Sequence, residues 1–118
     1  MSPVSIGMNY CLRLPDGRAL GHVRIERFED GWAEGPFAPS PAFEDVRALF
    51  EREAKLRRAQ IIPLWEEAAD AIESLAIQVI EESKGILQPG LAVFVEGNEA
   101  IIGTRPALLT DPLPHPAS

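Results

Sequence analysis

Strand-like blocks punctuated by tight-turn dipeptides stand at both ends of this chain, and a block of helical period stands between them. Alternate side chains share one face of a strand, whereas residues three or four apart share one face of a helix. That arrangement predicts an α+β fold. An antiparallel sheet is expected from an N-terminal three-stranded meander and C-terminal strands, covered by two central helices.

Tyr10, Leu12 and Leu14 fall on one face of a first strand, with Cys11 and Arg13 on the other. Pro15-Asp16-Gly17 follows with a preset φ, a turn-capping carboxylate and a residue tolerant of positive φ. A second strand is expected at about 19–28. Val23 and Ile25 point one way in it, and His22, Arg24 and Glu26 point the other, as in a sheet with one wet face. Glu29-Asp30-Gly31 makes the next turn and residues 32–37 the third strand. Pro36, Pro39 and Pro41 are expected to end the sheet, because proline removes a ladder donor. Cys11, His22 and Phe28 would then lie on the outer face, a composition that permits a homodimer without requiring one.

Ser40 is placed to cap a helix at about 41–58, with Pro41 at its first position and Glu44 and Asp45 at the positive end of the dipole. Phe43, Val46, Leu49, Phe50 and Leu56 form its apolar stripe. Arg47–Glu51, Glu51–Lys55 and Glu53–Arg57 are i,i+4 pairs expected on the wet side. Pro63 interrupts the periodicity, so a second helix starts there, with Leu64, Ala68, Ala71, Ile72 and Leu75 inward. Residues 76–80 admit two continuations. The β-branched Ile77, Val79 and Ile80 favour a strand at about 77–82, whereas Lys84-Gly85 would stop a longer helix; the strand is preferred.

Gly97-Asn98 joins a final hairpin of residues 91–96 and 99–104, whose Ala92–Val95 and Ala100–Ile102 runs suit buried strands. Residues 1–105 are thus expected as a single α+β domain and 106–118 as a proline-rich tail carrying Leu108, Leu109 and Leu113.

The block Gly31-Trp32-Ala33-Glu34-Gly35-Pro36-Phe37, followed by Pro39-Ser40-Pro41-Ala42-Phe43 and running on through Phe50, resembles a group of small uncharacterised bacterial α+β proteins. A late Gly-Asn-Glu-Ala turn like Gly97–Ala100 is shared too. The resemblance covers about half the chain. Its motifs are structural, so it implies a fold and assigns no catalytic residue.

The chain has 118 residues and a net charge of −7, which opposes phosphate neutralisation by a basic face; no nucleic-acid partner is expected. Residues 59–84 alone carry six acids against Lys84. The N-terminus has no basic segment followed by a long apolar run, so no membrane partner is expected and the location is read as cytoplasmic. One cysteine excludes an intrachain disulfide.

Catalytic constellations are sparse. Cys11 and His22 can be neighbours across the first hairpin, but Arg13, Arg24 and Glu26 share that face, which suits a solvated polar surface better than a nucleophile and base. His115 lies in the tail. Glu66, Asp70 and Glu73 line one helical face, more often solvated than cation-binding; as a third option, an antiparallel helical pair would bring the basic end Lys55, Arg57 and Arg58 near the acidic start of the second helix. Neither dinucleotide nor P-loop glycine pattern occurs. No catalytic residue, metal ligand or cofactor is assigned. The reading is a non-enzymatic protein-interaction module, self-associating or regulatory, with Leu108, Leu109 and Leu113 as its contact residues. The alternative is a small-ligand-binding domain or minor enzyme, with Tyr10, Trp32 and Trp65 around a pocket between sheet and helices.

Overall fold

A computed structural model describes residues 4–29 and 31–104. The elements run β1 (Asn9–Arg13), β2 (Ala19–Arg24), β3 (Arg27–Glu29), β4 (Trp32–Pro39), a 3₁₀ turn (Pro41–Asp45), α1 (Arg47–Ala59), α2 (Ile62–Glu73), β5 (Gln78–Glu81), β6 (Ile86–Gln88), β7 (Leu91–Glu96) and β8 (Glu99–Thr104). The α+β expectation holds: one antiparallel sheet is ordered β6-β5-β1-β2-β4-β8-β7, with β3 also on β4.

That order forces the sheet to curl. β6 and β7 stand at opposite ends of the strand path, yet only Pro89 and Gly90 separate them in sequence. Three peptide steps hold Gln88 and Leu91 within about 11 Å of one another. The two edges must therefore approach, enclosing Tyr10, Leu12, Val23, Ile25 and Phe94, all nearly inaccessible.

The first hairpin forms as expected, with Tyr10 opposite Val23 and Cys11 opposite His22. Its Asp16 accepts from the Arg18 amide at 3.0 Å, the anticipated carboxylate cap. The expected strand at 19–28 instead divides into β2 and β3. β4 pairs Val23 with Phe37 and then Arg27 with Glu34, so one extra residue is accommodated between them. Gly35 makes this crossing possible, because a Cβ there would lie 1.7 Å from the Arg24 carbonyl oxygen.

The prolines do not end the sheet as expected: Pro36 and Pro39 belong to β4. The Phe37 amide donates to Asn98 on the β8 side, so position 36 faces β2, within the interruption. A missing donor costs no ladder bond there.

The expected first helix is also split. Pro41–Asp45 is a 3₁₀ turn, Val46 breaks the geometry at φ −121°, and α1 begins at Arg47. Ser40 occupies the capping position, but its carbonyl accepts the Phe43 amide and its hydroxyl makes no capping bond. The rings of Phe37, Phe43 and Phe50 nevertheless pack in sequence, with centroids 5.1 and 5.4 Å apart. They tie β4 to α1.

Gln60 ends α1 at φ 58°, which separates it from α2 near the anticipated break. On α2 the inward residues are Trp65, Ala68, Ala69 and Ile72. Leu64, expected inward, is exposed. One position of helical phase decides this, since Trp65 buries more apolar surface than Leu64 can. Of the two continuations after α2, the strand forms, as β5 within 77–82. Both helices pack against β7, whose consecutive Val93, Phe94 and Val95 are buried. Consecutive burial in a strand requires cover on both faces. The final hairpin has the expected bounds, whereas the short β6 was not anticipated.

Candidate functional site

Two features lie at opposite ends of β7: an ionic cluster at Glu96 and an open apolar seam at Leu91.

In the cluster, Glu53 has no solvent exposure. Its Oε2 accepts from Arg57 Nε and from Trp65 Nε1, each at 2.8 Å. Arg57 Nη1 donates to Glu96 Oε1 at 2.9 Å, and Arg58 Nη1 to Glu96 Oε2 at 2.6 Å. Glu53 and Arg57 are thus not on the wet side, and Arg57 and Arg58 turn to Glu53 and Glu96 instead of the carboxylates of α2. Helical spacing predicts that 53 and 57 meet; whether anything covers them depends on α2 and β7. Burial lowers the Arg57 pKa, but hydrogen bonds to Glu53 and the charges of Glu53 and Glu96 outweigh it, and the net shift is upward. Burial raises the Glu96 carboxyl, which the two arginines more than reverse. The cluster binds α1, α2 and β7 together, with Arg57 Nε, Nη1 and Nη2 and Trp65 Nε1 all directed at carboxylates. It is built as a clamp, with its buried carboxylate, Glu53, fully engaged by Arg57 and Trp65.

The seam lies where the sheet edges approach. A cavity of about 300 Å³ opens there, lined by Ile72, Ile77, Leu87, Leu91 and Val93 together with the polar Gln78 and Gln88 and one ionisable residue, Glu73. Among the described residues β6 and β7 each pair on one side only. Leu87, which lines the cavity, is 47 % exposed, high for a large apolar residue. The α2–β5 connection reaches the cavity through Ala76, whose φ of +53° is a left-handed conformation seldom adopted by alanine.

Of the residues singled out in the sequence, Tyr10, Trp32 and Trp65 are all packed in the interior. Tyr10 Oη accepts from the Ser5 amide at 2.9 Å. Trp32 and Trp65 meet Phe94 at 6.1 and 6.2 Å, so one phenylalanine brings the two tryptophans together. None of the three lines the seam. Leu108, Leu109, Leu113 and His115 lie outside the described residues, as does Asp30.

Cys11 and His22 are cross-strand partners on the outer face, and His22 Nδ1 contacts Glu82 Oε2. Burial and then the Glu82 charge push the Cys11 thiol up, against a lowering by Arg13. Such a thiol resists becoming the nucleophilic thiolate. Among the described residues no group of three or more His, Cys, Asp or Glu side chains is arranged to hold a metal ion. No described helix is long and apolar enough to cross a membrane.

Sequence reasoning missed the seam. Its signal was Pro89-Gly90, a two-residue link between apolar segments, but strand order was needed to show that the link joins the two sheet edges. Protein-family models, curated proteins and solved structures offer no match to this chain.

Proposed function

We propose that this chain is a non-enzymatic protein-interaction module whose seam receives a short, extended, apolar segment of another polypeptide. The observation that carries this reading is the placement of two sheet edges, β6 and β7, at a cleft whose lining is more apolar than polar. Edge strands present unpaired backbone donors and acceptors, which an extended peptide can satisfy while its side chains enter the cleft. A single ionisable residue in the lining favours an uncharged, leucine- or valine-bearing segment over an acidic or basic one.

A panel of fluorescent extended peptides, apolar against charged, tests this by anisotropy. Apolar members should bind, and Ala92→Glu, which places a carboxylate in the lining, should weaken them at least ~10-fold, about 1.4 kcal/mol. Equal binding by Ala92→Glu, or preference for charged peptides, overturns the proposal.

The alternative of a small-ligand-binding domain or minor enzyme is favoured by one observation. About 300 Å³ is at the lower limit of small-molecule pockets. A thermal-shift screen with a metabolite panel tests it, since a ligand that binds only the folded state raises Tm; Tyr10, Trp32 and Trp65 would contribute if a pocket opened between sheet and helices.

A further inference from the structure

We infer that the seam's occupant in the isolated protein is the chain's own segment 107–113, Ala-Leu-Leu-Thr-Asp-Pro-Leu, folded back in cis and displaced when a partner binds. The inference rests on the seam being a peptide-binding site.

Its first support is where the chain leaves the sheet. Thr104, the last residue of β8, is the register partner of Leu91, and Leu91 lines the seam. The chain therefore departs one strand away from the cleft. Four or five residues reach at most about 13–18 Å when extended, and crossing β7 takes only about 5 Å. Leu108 and Leu109 are within that reach. A tether this short gives an effective concentration on the order of millimolar, so even weak intrinsic affinity fills the site in cis before another copy can.

The second support is chemical complementarity. From 106 to 113 the segment carries three leucines and one charge, Asp111. The cleft it would enter presents Ile72, Ile77, Leu87, Leu91 and Val93 to the leucines, and Gln78 and Gln88 to the peptide backbone. Pro106 and Pro112 bracket the leucine pair and restrict the backbone toward extended conformations, which lowers the entropy lost on docking.

The test uses the full chain with a nitroxide at Thr110→Cys in a Cys11→Ser background, read by paramagnetic broadening of amide signals. Broadening is expected at Ile77, Leu87 and Leu91 and should vanish in a Leu108→Asp/Leu109→Asp version. Absence of broadening around the seam overturns the inference. So does broadening that appears only when spin-labelled chains are mixed with separate isotope-labelled ones, since the occupant is then a second copy. Should the substitutions disturb folding, hydrogen exchange on the unsubstituted chain decides: amides of 108 and 109 slowed at least ~10-fold support docking, and free-peptide rates overturn it.

Repeating the peptide panel on Leu108→Asp/Leu109→Asp separates this inference from the function proposed above. Apolar peptides bound at the seam without tail contacts sink the inference alone. Tail contacts with no peptide bound, even after the tail is disabled, sink the function alone. Tail contacts together with tighter peptide binding by the variant support both.

Discussion

Glu53 and Trp65 are joined through a buried hydrogen bond of 2.8 Å from the indole Nε1 to a carboxylate oxygen that also accepts from Arg57. The bond links the middle of α1 to the first turn of α2, and Arg57 continues it to Glu96 at the end of β7. The helical pair is held to the sheet at this end of β7, and the other end is left to border the seam.

Breaking the cluster from one side should be costly. Arg57→Ala leaves Glu53 buried without its cation and should lower the unfolding free energy by about 3–5 kcal/mol. Replacing both, as Glu53→Gln/Arg57→Met, should recover part of that loss, because no buried charge remains and the glutamine oxygen can still accept from the Trp65 indole. Urea denaturation of the three proteins measures the difference, and equal stability of Arg57→Ala and the unsubstituted chain would refute the account.

Glu96 should make stability depend on acid pH. Its carboxyl is held below the ordinary value by Arg58 and Arg57 despite burial, so the unfolded chain binds its proton more readily than the folded one. Its contribution is fully present above the unfolded value of about 4.3 and is lost as pH falls through the lower folded value. The stability gap between the unsubstituted chain and Glu96→Gln should therefore be constant near neutrality and close below about pH 4. Chemical denaturation across that range is the measurement.

Gly35→Ala should be among the most damaging single-atom additions available. The new methyl would coincide with the Arg24 carbonyl, a backbone group that cannot rotate aside. A loss of at least about 3 kcal/mol is expected, or no folded protein. Gly97→Asn is the control, because φ +60° in an open hairpin turn suits asparagine; it should cost under about 1 kcal/mol.

Cys11 should react slowly with an aromatic disulfide reagent at pH 8 and rapidly once the chain is unfolded in urea. Burial is the larger cause of its raised pKa and Glu82 the second, so Glu82→Gln should speed the reaction only in part. A folded-state rate matching that of the unfolded chain would show the thiol to be unperturbed.

Ala76→Gly should stabilise by up to about 1 kcal/mol, the relief of a left-handed alanine set against the greater freedom of glycine in the unfolded chain. Thermal unfolding reads this directly. The same residue explains why the end of α2 was hard to see in the sequence. Helices commonly stop at a left-handed glycine, and here the Ala76 amide closes back on Glu73 without one.

Local chemistry determined the hairpins and the helical block. Asp16-Gly17 and Gly97-Asn98 favour tight turns whatever surrounds them, Pro63 lies just inside α2, and the alternation at 22–26 separates a buried face from a wet one. Strand order was beyond that reach, because pairing is chosen among distant segments by the total surface they bury. Only the tertiary structure brought β6 and β7 to opposite ends of the sheet path and then drew their near ends together at Pro89-Gly90. That long-range pairing created the seam. It also placed Glu53 and Arg57 under α2 and β7, turning an ordinary i,i+4 surface pair into a buried clamp: helical spacing decides which side chains meet, and packing decides whether water reaches them.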